Sequence, residues 1–311
     1  MFCNVYYGDI EKDLVNGSHL EDKGLENGHL IVRVVDDFML VTTDYDKAAY
    51  FRQHLEKGNQ ALGVMINTSK TKTSHKIHNG RISPNDDSLV TIHGKHYFSW
   101  CGYLFNISTM EVHIDYSRFD GKAANESIRR FEKSRKEGAK FISRLHSFLA
   151  PRCQPILFDP NINSWEVLCI NFYQTVAFAA VKCVLYFQSG GLENGIDTNI
   201  DFIAKTFAES LENTFEIISR RLNHAQGKLS KIQKIGSDSS RVKWLERSDA
   251  IWIGYLSLLD IFTNHSKYWN LISLLRRNQQ SVSVKNIGIL KVGTTTAREM
   301  FNSSRFDFSN N

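Results

Sequence analysis

Two adjacent carboxylates in the middle of an apolar run are the residues of this 311-residue chain with the clearest chemical potential. Asp36 and Asp37 follow the run 30–35 and precede the run 38–41. Two charges buried there without partners would cost on the order of several kcal/mol. The run must therefore break into a tight hairpin with the acids at its tip, or a cation must neutralise them. Such a pair suits two Mg²⁺ ions held roughly 4 Å apart, and a plain turn with two exposed acids is the alternative.

The chain contains a second Asp-Asp pair, which serves as an internal comparison. Asp86 and Asp87 lie within Ser83-Pro84-Asn85-Asp86-Asp87-Ser88, where each neighbour favours a turn. This composition predicts a solvated loop. The apolar surroundings of the first pair are therefore what distinguishes it.

A stripe of basic residues is the strongest indication of nucleic-acid binding in the residues themselves. Within a helix predicted over 124–150, the stripe steps by 4, 3, 4 and 4 positions and shares one face; its members are Arg129, Lys133, Lys136, Lys140 and Arg144. Apolar residues of the same helix fall on the opposite face. One side is expected to pack into a helical domain while the other follows a phosphate backbone. An ordinary solvated helix is the alternative.

A second basic cluster and the overall charge are compatible with the same kind of partner. The cluster is predicted to span a helix end and a loop, where it either contacts nucleic acid or is simply solvated; it contains Arg220, Arg221, Lys228, Lys231, Lys234, Arg241 and Lys243. The net charge is +5, which permits nucleic-acid binding without requiring it. The 5 cysteines include no CxxC, and His75 and His78 lack partners at zinc-ligand spacing, so we predict no zinc site. A phosphate-binding GxxxxGK[ST] motif is also absent.

The length and spacing of apolar runs divide the chain into a mixed α+β part and a helical part. Short β-branched runs predict strands at 30–35, 38–43, 63–66 and 89–92, with more at 71–77 and 97–112, and a helix over 46–62 capped by Asp46. From residue 121 the pattern predicts helices at 164–188, 200–223, 239–263 and 267–277. The boundary is expected at 118–122. We predict no membrane span, since the longest apolar candidate, 176–187, is too short and contains Lys182.

Four blocks along the chain resemble telomerase reverse transcriptases. Val34-Val35-Asp36-Asp37-Phe38-Met39-Leu40-Val41-Thr42 resembles their motif C, and the stretch 2–11 resembles the helix that follows motif B. The stretch 63–71 resembles motif D. Phe98-Ser99-Trp100-Cys101-Gly102-Tyr103-Leu104, with Asp115-Tyr116-Ser117 after it, resembles motif E, the primer grip. The blocks keep the order of the family, and the resemblance covers essentially the whole chain.

This resemblance implies the later part of a polymerase. Residues 1–118 would be a partial reverse-transcriptase palm, an antiparallel sheet with packed helices, and residues 119–311 an all-α thumb. Motifs A and B, the fingers and the RNA-binding domains of the family have no counterpart in the sequence. The chain would hold two of the three metal carboxylates of the family and would not polymerise alone.

The resemblance also implies roles for individual residues. Asp36 would bridge two Mg²⁺ ions with Asp37 as a supporting ligand, and Lys70 would donate a proton to the leaving pyrophosphate. Trp100, Cys101 and Gly102 would form the primer grip, with backbone contacts from the last two. The partners would be telomerase RNA paired with a single-stranded telomeric DNA primer, deoxynucleoside triphosphates and the missing N-terminal part, at telomeres in the nucleus. A non-catalytic nucleic-acid-binding module and a retroelement reverse transcriptase are the alternatives.

Overall fold

A computed structural model describes most of the chain, and two compact units can be distinguished in it. The described residues are 8, 29–58, 63, 65–78, 81–84, 87–116, 137–189, 199–232, 244–284, 295–299 and 301, with the backbone alone for 76–78, 81–84 and 228–232. The first unit comprises Met1–Thr91 and Phe98–Cys101, and the second comprises Ile92–Tyr97 and Gly102–Asn311. The boundary predicted at 118–122 lies outside the described residues.

Strands dominate the described residues before 117. They are β1 (His29–Val34), β2 (Asp37–Thr42), β3 (His75–His78), β4 (Arg81–Pro84), β5 (Leu89–Ile92), β6 (Lys95–Trp100), β7 (Tyr103–Asn106) and β8 (Val112–Ile114), with helix α1 (Tyr45–Lys57) after β2. β1 pairs with β2 and β3 with β4, both antiparallel, and the remaining four strands form a sheet in the order β5-β6-β7-β8. The prediction of antiparallel sheet with a packed helix is confirmed.

Helix α1 covers one face of the β1–β2 hairpin. Its buried Phe51 packs against Ile31, Phe38 and Leu40 of the hairpin, with Leu55 beside it. The predicted cap, Asp46, was wrong by two positions. The side chain of Asp44 caps the helix, accepting from the backbone N–H groups of residues 46 and 47, because Asp44 has the extended backbone that an N-cap requires.

Three predicted strands differ from those observed, and the one predicted over 71–77 begins only at His75. The predicted strand 63–66 is not found in the described residues 65–67, where Met65 is 92 % exposed and Asn67 caps a short 3₁₀ turn, Thr68–Lys70. The predicted strand 97–112 is divided by tight turns into parts of β6, β7 and β8. Cys101 and Gly102 form one of these turns with φ values of 48° and 83°, a conformation that reverses the chain between strands.

Helices make up most of the described residues from 137 onward, as predicted. They are α2 (Glu137–Leu149), α3 (Pro155–Phe158), α4 (Trp165–Gln188), α5 (Ile200–Ile232), α6 (Arg247–Phe262) and α7 (Trp269–Ser281). Three bounds were wrong by more than two residues: α5 continues nine residues past the predicted end at residue 223, residues 244–246 precede α6 without being helical, and α7 continues four residues past the predicted end at residue 277. α5 continues because residues 224–232 contain neither proline nor a turn pair.

Helix α4 is the centre of the second unit. Residues 167–186 of this helix are all buried, and it packs most extensively against α6. Aromatic rings fill the space among the helices; they include Phe141, Tyr186, Phe187, Phe207, Phe262 and Tyr268. This is the interior of the predicted helical domain.

Helix α4 is also, within the described ranges, the one helix long and apolar enough to cross a membrane. An 18-residue window in it has a mean hydropathy of 1.6. Every such window of this helix includes Lys182, so the absence of a long uncharged apolar stretch still holds, and the absence of a membrane span stays a prediction. The window is 100 % buried inside the structure, and the core helix of a globular unit passes the same test. Length and composition of this helix are therefore weak grounds for a membrane span.

Candidate active site

The turn between β1 and β2 carries both carboxylates of the predicted metal pair. The strands pair up to Val34 opposite Asp37, which leaves Val35 and Asp36 as a two-residue turn. Asp37 is the first residue of β2, and both acids are exposed. The predicted hairpin with the acids at its tip is therefore confirmed, and exposure removes the cost of burying two charges.

This turn contains a backbone conformation that its sequence disfavours. Val35 has φ 59°, and two-residue hairpin turns with positive φ normally use Gly, Asn or Asp. A β-branched residue in this region is an outlier that costs on the order of 1–3 kcal/mol. The guanidinium of Arg33 holds the turn: its Nη1 donates to the carbonyl oxygen of Val35 at 2.8 Å, and it lies 5.9 Å from the ring centroid of its cross-strand neighbour Phe38.

Cys101 lies beside the carboxylate pair. Its Sγ donates to Oδ2 of Asp37 at 3.5 Å, and both residues belong to the first unit. Burial and, after it, the charge of Asp37 together raise the pKa of the Cys101 thiol to about 11. The thiol is therefore protonated at neutral pH and acts as a donor. The structure thus brings together Asp37, from the block that resembles motif C, and Cys101, from the block that resembles motif E.

The other residues expected at the site have simple surroundings. Lys70 is the exposed last residue of the 3₁₀ turn Thr68–Lys70, and its backbone N–H donates to the carbonyl oxygen of Asn67 at 3.0 Å. Trp100 is the half-buried last residue of β6, next to the turn of Cys101 and Gly102. Neither placement tests the expected contacts with triphosphate and primer, which stay predictions.

The basic stripe is described only at its C-terminal end. Arg129, Lys133 and Lys136 lie outside the described residues. Lys140 and Arg144 are half-buried on α2, and the guanidinium of Arg144 lies 5.8 Å from the ring centroid of Tyr186. Arg144 therefore lies against the helical core at Tyr186. Phosphate contacts by the stripe stay a prediction.

One member of the second basic cluster has a structural role that the sequence did not reveal. Arg221 on α5 is half-buried, and its Nη1 donates to the carbonyl oxygens of Ala150 and Cys153 at 2.7 and 3.0 Å. These carbonyls belong to the 3₁₀ turn after α2 and to its C-cap residue, where few backbone N–H groups are available to helix-end carbonyls. Arg220 remains exposed, while Lys234, Arg241 and Lys243 lie outside the described residues.

The two carboxylates fit part of a magnesium site. Carboxylate oxygens are the ligands that Mg²⁺ prefers, and the ion commonly uses one or two of them together with substrate oxygens and water. Asp36 and Asp37 offer such ligands at an exposed turn. In the parts of the chain that the structure describes, no group of three His, Cys, Asp or Glu side chains could hold a metal ion. The pair is thus compatible with two protein ligands and not with a self-sufficient metal site.

Comparison with known proteins identifies related sequences. The telomerase reverse transcriptase of Arabidopsis thaliana is 26 % identical over 300 residues, covering 89 % of this chain and 25 % of that protein. The rice (Oryza sativa subsp. japonica) protein of the same name is 25 % identical over 88 % of this chain and 21 % of its own length. The mouse (Mus musculus) protein is 30 % identical over 60 % of this chain and 16 % of its own length.

Comparison with structures and family models adds little. An apo telomerase structure from Candida tropicalis aligns with 94 % of this chain and 35 % of its own at 15 % identity, with a TM-score of 0.28, which is too low to establish a shared fold. No family model matches the sequence. The sequence relatives, by contrast, carry the same name in plants and mammals. The chain is similar to telomerase reverse transcriptases over up to 89 % of its own length, and it spans about a quarter or less of the length of these relatives.

Proposed function

We propose that the chain forms the later part of the palm, followed by the thumb, of an RNA-templated DNA polymerase that extends chromosome ends. The observation that carries this proposal is the exposed β1–β2 turn with its adjacent acids, Asp36 and Asp37, in a sequence related to telomerase reverse transcriptases. Adjacent carboxylates that are open to solvent are suited to nucleotidyl transfer, because they can hold metal ions.

In this proposal the chain's residues bind and orient the reactants. Asp36 and Asp37 would hold Mg²⁺, which lowers the pKa of the primer 3′-hydroxyl and neutralises charge on the leaving pyrophosphate. Lys70 would donate a proton to that leaving group, and the turn formed by Cys101 and Gly102 would contact the primer through its backbone. Gly102 suits this contact because it has no side chain to keep the primer away.

The thumb would grip the RNA–DNA duplex by its shape and phosphates. Lys140 and Arg144 would contact the phosphates, together with the other members of the basic stripe, Arg129, Lys133 and Lys136. Backbone contacts of this kind position a duplex without selecting its sequence. Telomerase RNA, a telomeric DNA primer and deoxynucleoside triphosphates are the proposed partners, and the telomeres of the nucleus are the proposed location.

A primer-extension assay tests the proposal. The 311-residue chain is assayed with Mg²⁺, primer and telomerase RNA, alone and together with a polypeptide that carries the part of the Arabidopsis relative preceding the matched segment. Extension is expected from the mixture and not from the chain alone, because the described residues supply only two carboxylates for a metal. A catalytic metal ion contributes on the order of several kcal/mol to transition-state stabilisation, and each 1.36 kcal/mol lost is tenfold in rate. Asp36→Asn or Asp37→Asn should therefore slow extension by about 100-fold or more.

The second Asp-Asp pair provides the matched control. Asp86→Asn with Asp87→Asn removes the same two charges elsewhere and should leave extension unchanged. The assignment of the metal ligands would be contradicted if Asp36→Asn leaves extension unchanged. It would also be contradicted if substitution of the second pair slows extension as much as substitution of the first. A mixture that binds primer–RNA duplex but never extends it would favour the alternative, a non-catalytic nucleic-acid-binding module.

A further inference from the structure

The thiol of Cys101 and the carboxylate of Asp37 lie in contact, although 64 positions separate them along the chain. Oδ2 of Asp37 accepts from Sγ at 3.5 Å, a normal separation for a sulfur donor. The backbone on each side is fixed independently. Asp37 is held by its strand pairing with Val34, and Cys101 by a turn in which it has φ 48°. The contact therefore joins two residues of the first unit, each of which is held by its own backbone conformation.

We propose that Cys101 is a positioning residue that acts through Asp37: its S–H holds that carboxylate in one orientation beside Asp36, in readiness for a divalent cation. The inference rests on the proposed function, since it assumes that the two acids are metal ligands. It assigns to the thiol a role separate from the primer contact expected of the Cys101 backbone.

An exposed aspartate at a hairpin tip needs such a partner. Asp37 stands at a turn and is open to solvent, so nothing in its burial restricts the side chain. Metal affinity depends on ligands that are already oriented, and hydrogen bonds from neighbouring groups commonly supply this orientation. A carboxylate has about four lone-pair sites. One bond from the thiol therefore fixes the group and still leaves oxygen lone pairs for a metal ion.

The side-chain orientation of Asp37 can be measured without metal. In the isotopically labelled 311-residue chain, three-bond couplings to Cγ of Asp37 report how its χ1 angle is distributed. One dominant rotamer is expected in the unmodified chain, averaging among rotamers in Cys101→Ala, and an intermediate result in Cys101→Ser, which keeps a donor. Cys153→Ser is the matched control, because Cys153 donates its thiol proton to the carbonyl oxygen of Leu149 in the second unit. This control should not alter the couplings of Asp37.

Binding of Mn²⁺, followed by its electron paramagnetic resonance signal, provides the second measurement. Loss of an orienting partner typically weakens metal binding by about 10- to 100-fold, and Cys101→Ala is expected at the lower end, with Cys101→Ser closer to the unmodified chain. If Asp37 keeps one rotamer in Cys101→Ala, or if Mn²⁺ affinity is unchanged in that variant, the positioning role is overturned. If the unmodified chain shows no Mn²⁺ binding that Asp36→Asn removes, the metal site itself fails and the inference fails with it. The two failures are thus distinguishable.

Discussion

Asn171 is a buried polar residue whose removal should cost the second unit much of its stability. It lies on the central helix α4 with 0 % exposure. Its Nδ2 donates to the carbonyl oxygens of Val112 and Leu157, each at 2.8 Å. Val112 belongs to β8, which pairs with β7 and is the last strand of its sheet, so the amide of Asn171 completes hydrogen bonding at a strand edge that is buried by helices.

The magnitude of the loss follows from these two bonds. In Asn171→Leu both carbonyls lose this donor in a buried place, and a buried group left unsatisfied costs about 1–3 kcal/mol, hence roughly 2–6 kcal/mol for two. The added apolar side chain returns up to about 2 kcal/mol if it is accommodated. The middle of this range, less the full return, gives an expected net loss of about 2 kcal/mol, a large share of the roughly 5–15 kcal/mol that stabilises a typical domain.

Urea unfolding followed by tryptophan fluorescence measures this loss. The midpoint should fall while the slope with urea concentration stays the same, since the same surface is exposed on unfolding. Asn223→Leu, at an exposed position of α5, is the matched control and should change stability by less than about 0.5 kcal/mol. A loss below about 1 kcal/mol for Asn171→Leu would refute the assignment of the two bonds as the reason for this buried amide.

Asn163 permits a sharper version of the same test. Its Oδ1 accepts from the backbone N–H of Val112 at 2.8 Å, so the two asparagines bind the donor and the acceptor of one residue. Residues that share a partner in this way show coupling energies of about 0.5–3 kcal/mol. Asn163→Leu combined with Asn171→Leu should therefore cost less than the sum of the single changes.

Two further predictions concern backbone strain and pH. Val35→Gly should stabilise the β1–β2 hairpin by about 1 kcal/mol, because relief of roughly 1–3 kcal/mol of strain exceeds the 0.4–1 kcal/mol that glycine costs through the unfolded chain. Hydrogen exchange of the backbone amides in β1 and β2 should become slower. Unchanged or faster exchange would count against strain at Val35. Burial lowers the pKa of His113 from 6.5 to about 4, so the folded protein excludes a proton that the unfolded chain binds, and stability falls as pH decreases from 6.5 toward 4, by roughly 3 kcal/mol for this group. Urea unfolding at pH 7 and pH 4.5 should show a smaller decrease in His113→Gln than in the unmodified chain, and equal decreases would contradict the assignment.

The parts of the fold that the sequence could predict were those marked by a long apolar run or by a single strong motif. α4 begins after Ser164 and ends at Gln188 as expected, because an apolar run of this length is bounded by a cap residue and a Gly-Gly pair. The start of α1 was misplaced because Asp44 and Asp46 are both acceptable cap residues in composition. Only the backbone conformation at Asp44 distinguishes them.

Contacts between distant residues were the part that the sequence could not predict. The acids Asp36 and Asp37 were expected at a hairpin tip, since an apolar run interrupted by two charges has few other solutions. Nothing in the local sequence indicates that Cys101 contacts Asp37, or that Arg221 binds the carbonyls of Ala150 and Cys153. Each of these depends on how separate elements come together, and a lone Cys or Arg has no periodicity to reveal it.

The exposure of the candidate metal ligands does not imply that they are loosely held. The hairpin that carries them is anchored on one face by Phe51 of α1, and Arg33 fastens the carbonyl of Val35 inside the turn. Cys101 then restrains the side chain of Asp37 from a separate hairpin. Backbone, turn and side chain are thus each restrained by a different neighbour. A carboxylate pair can therefore keep a defined geometry while remaining open to solvent, which is what binding a hydrated cation together with a large nucleic-acid substrate requires.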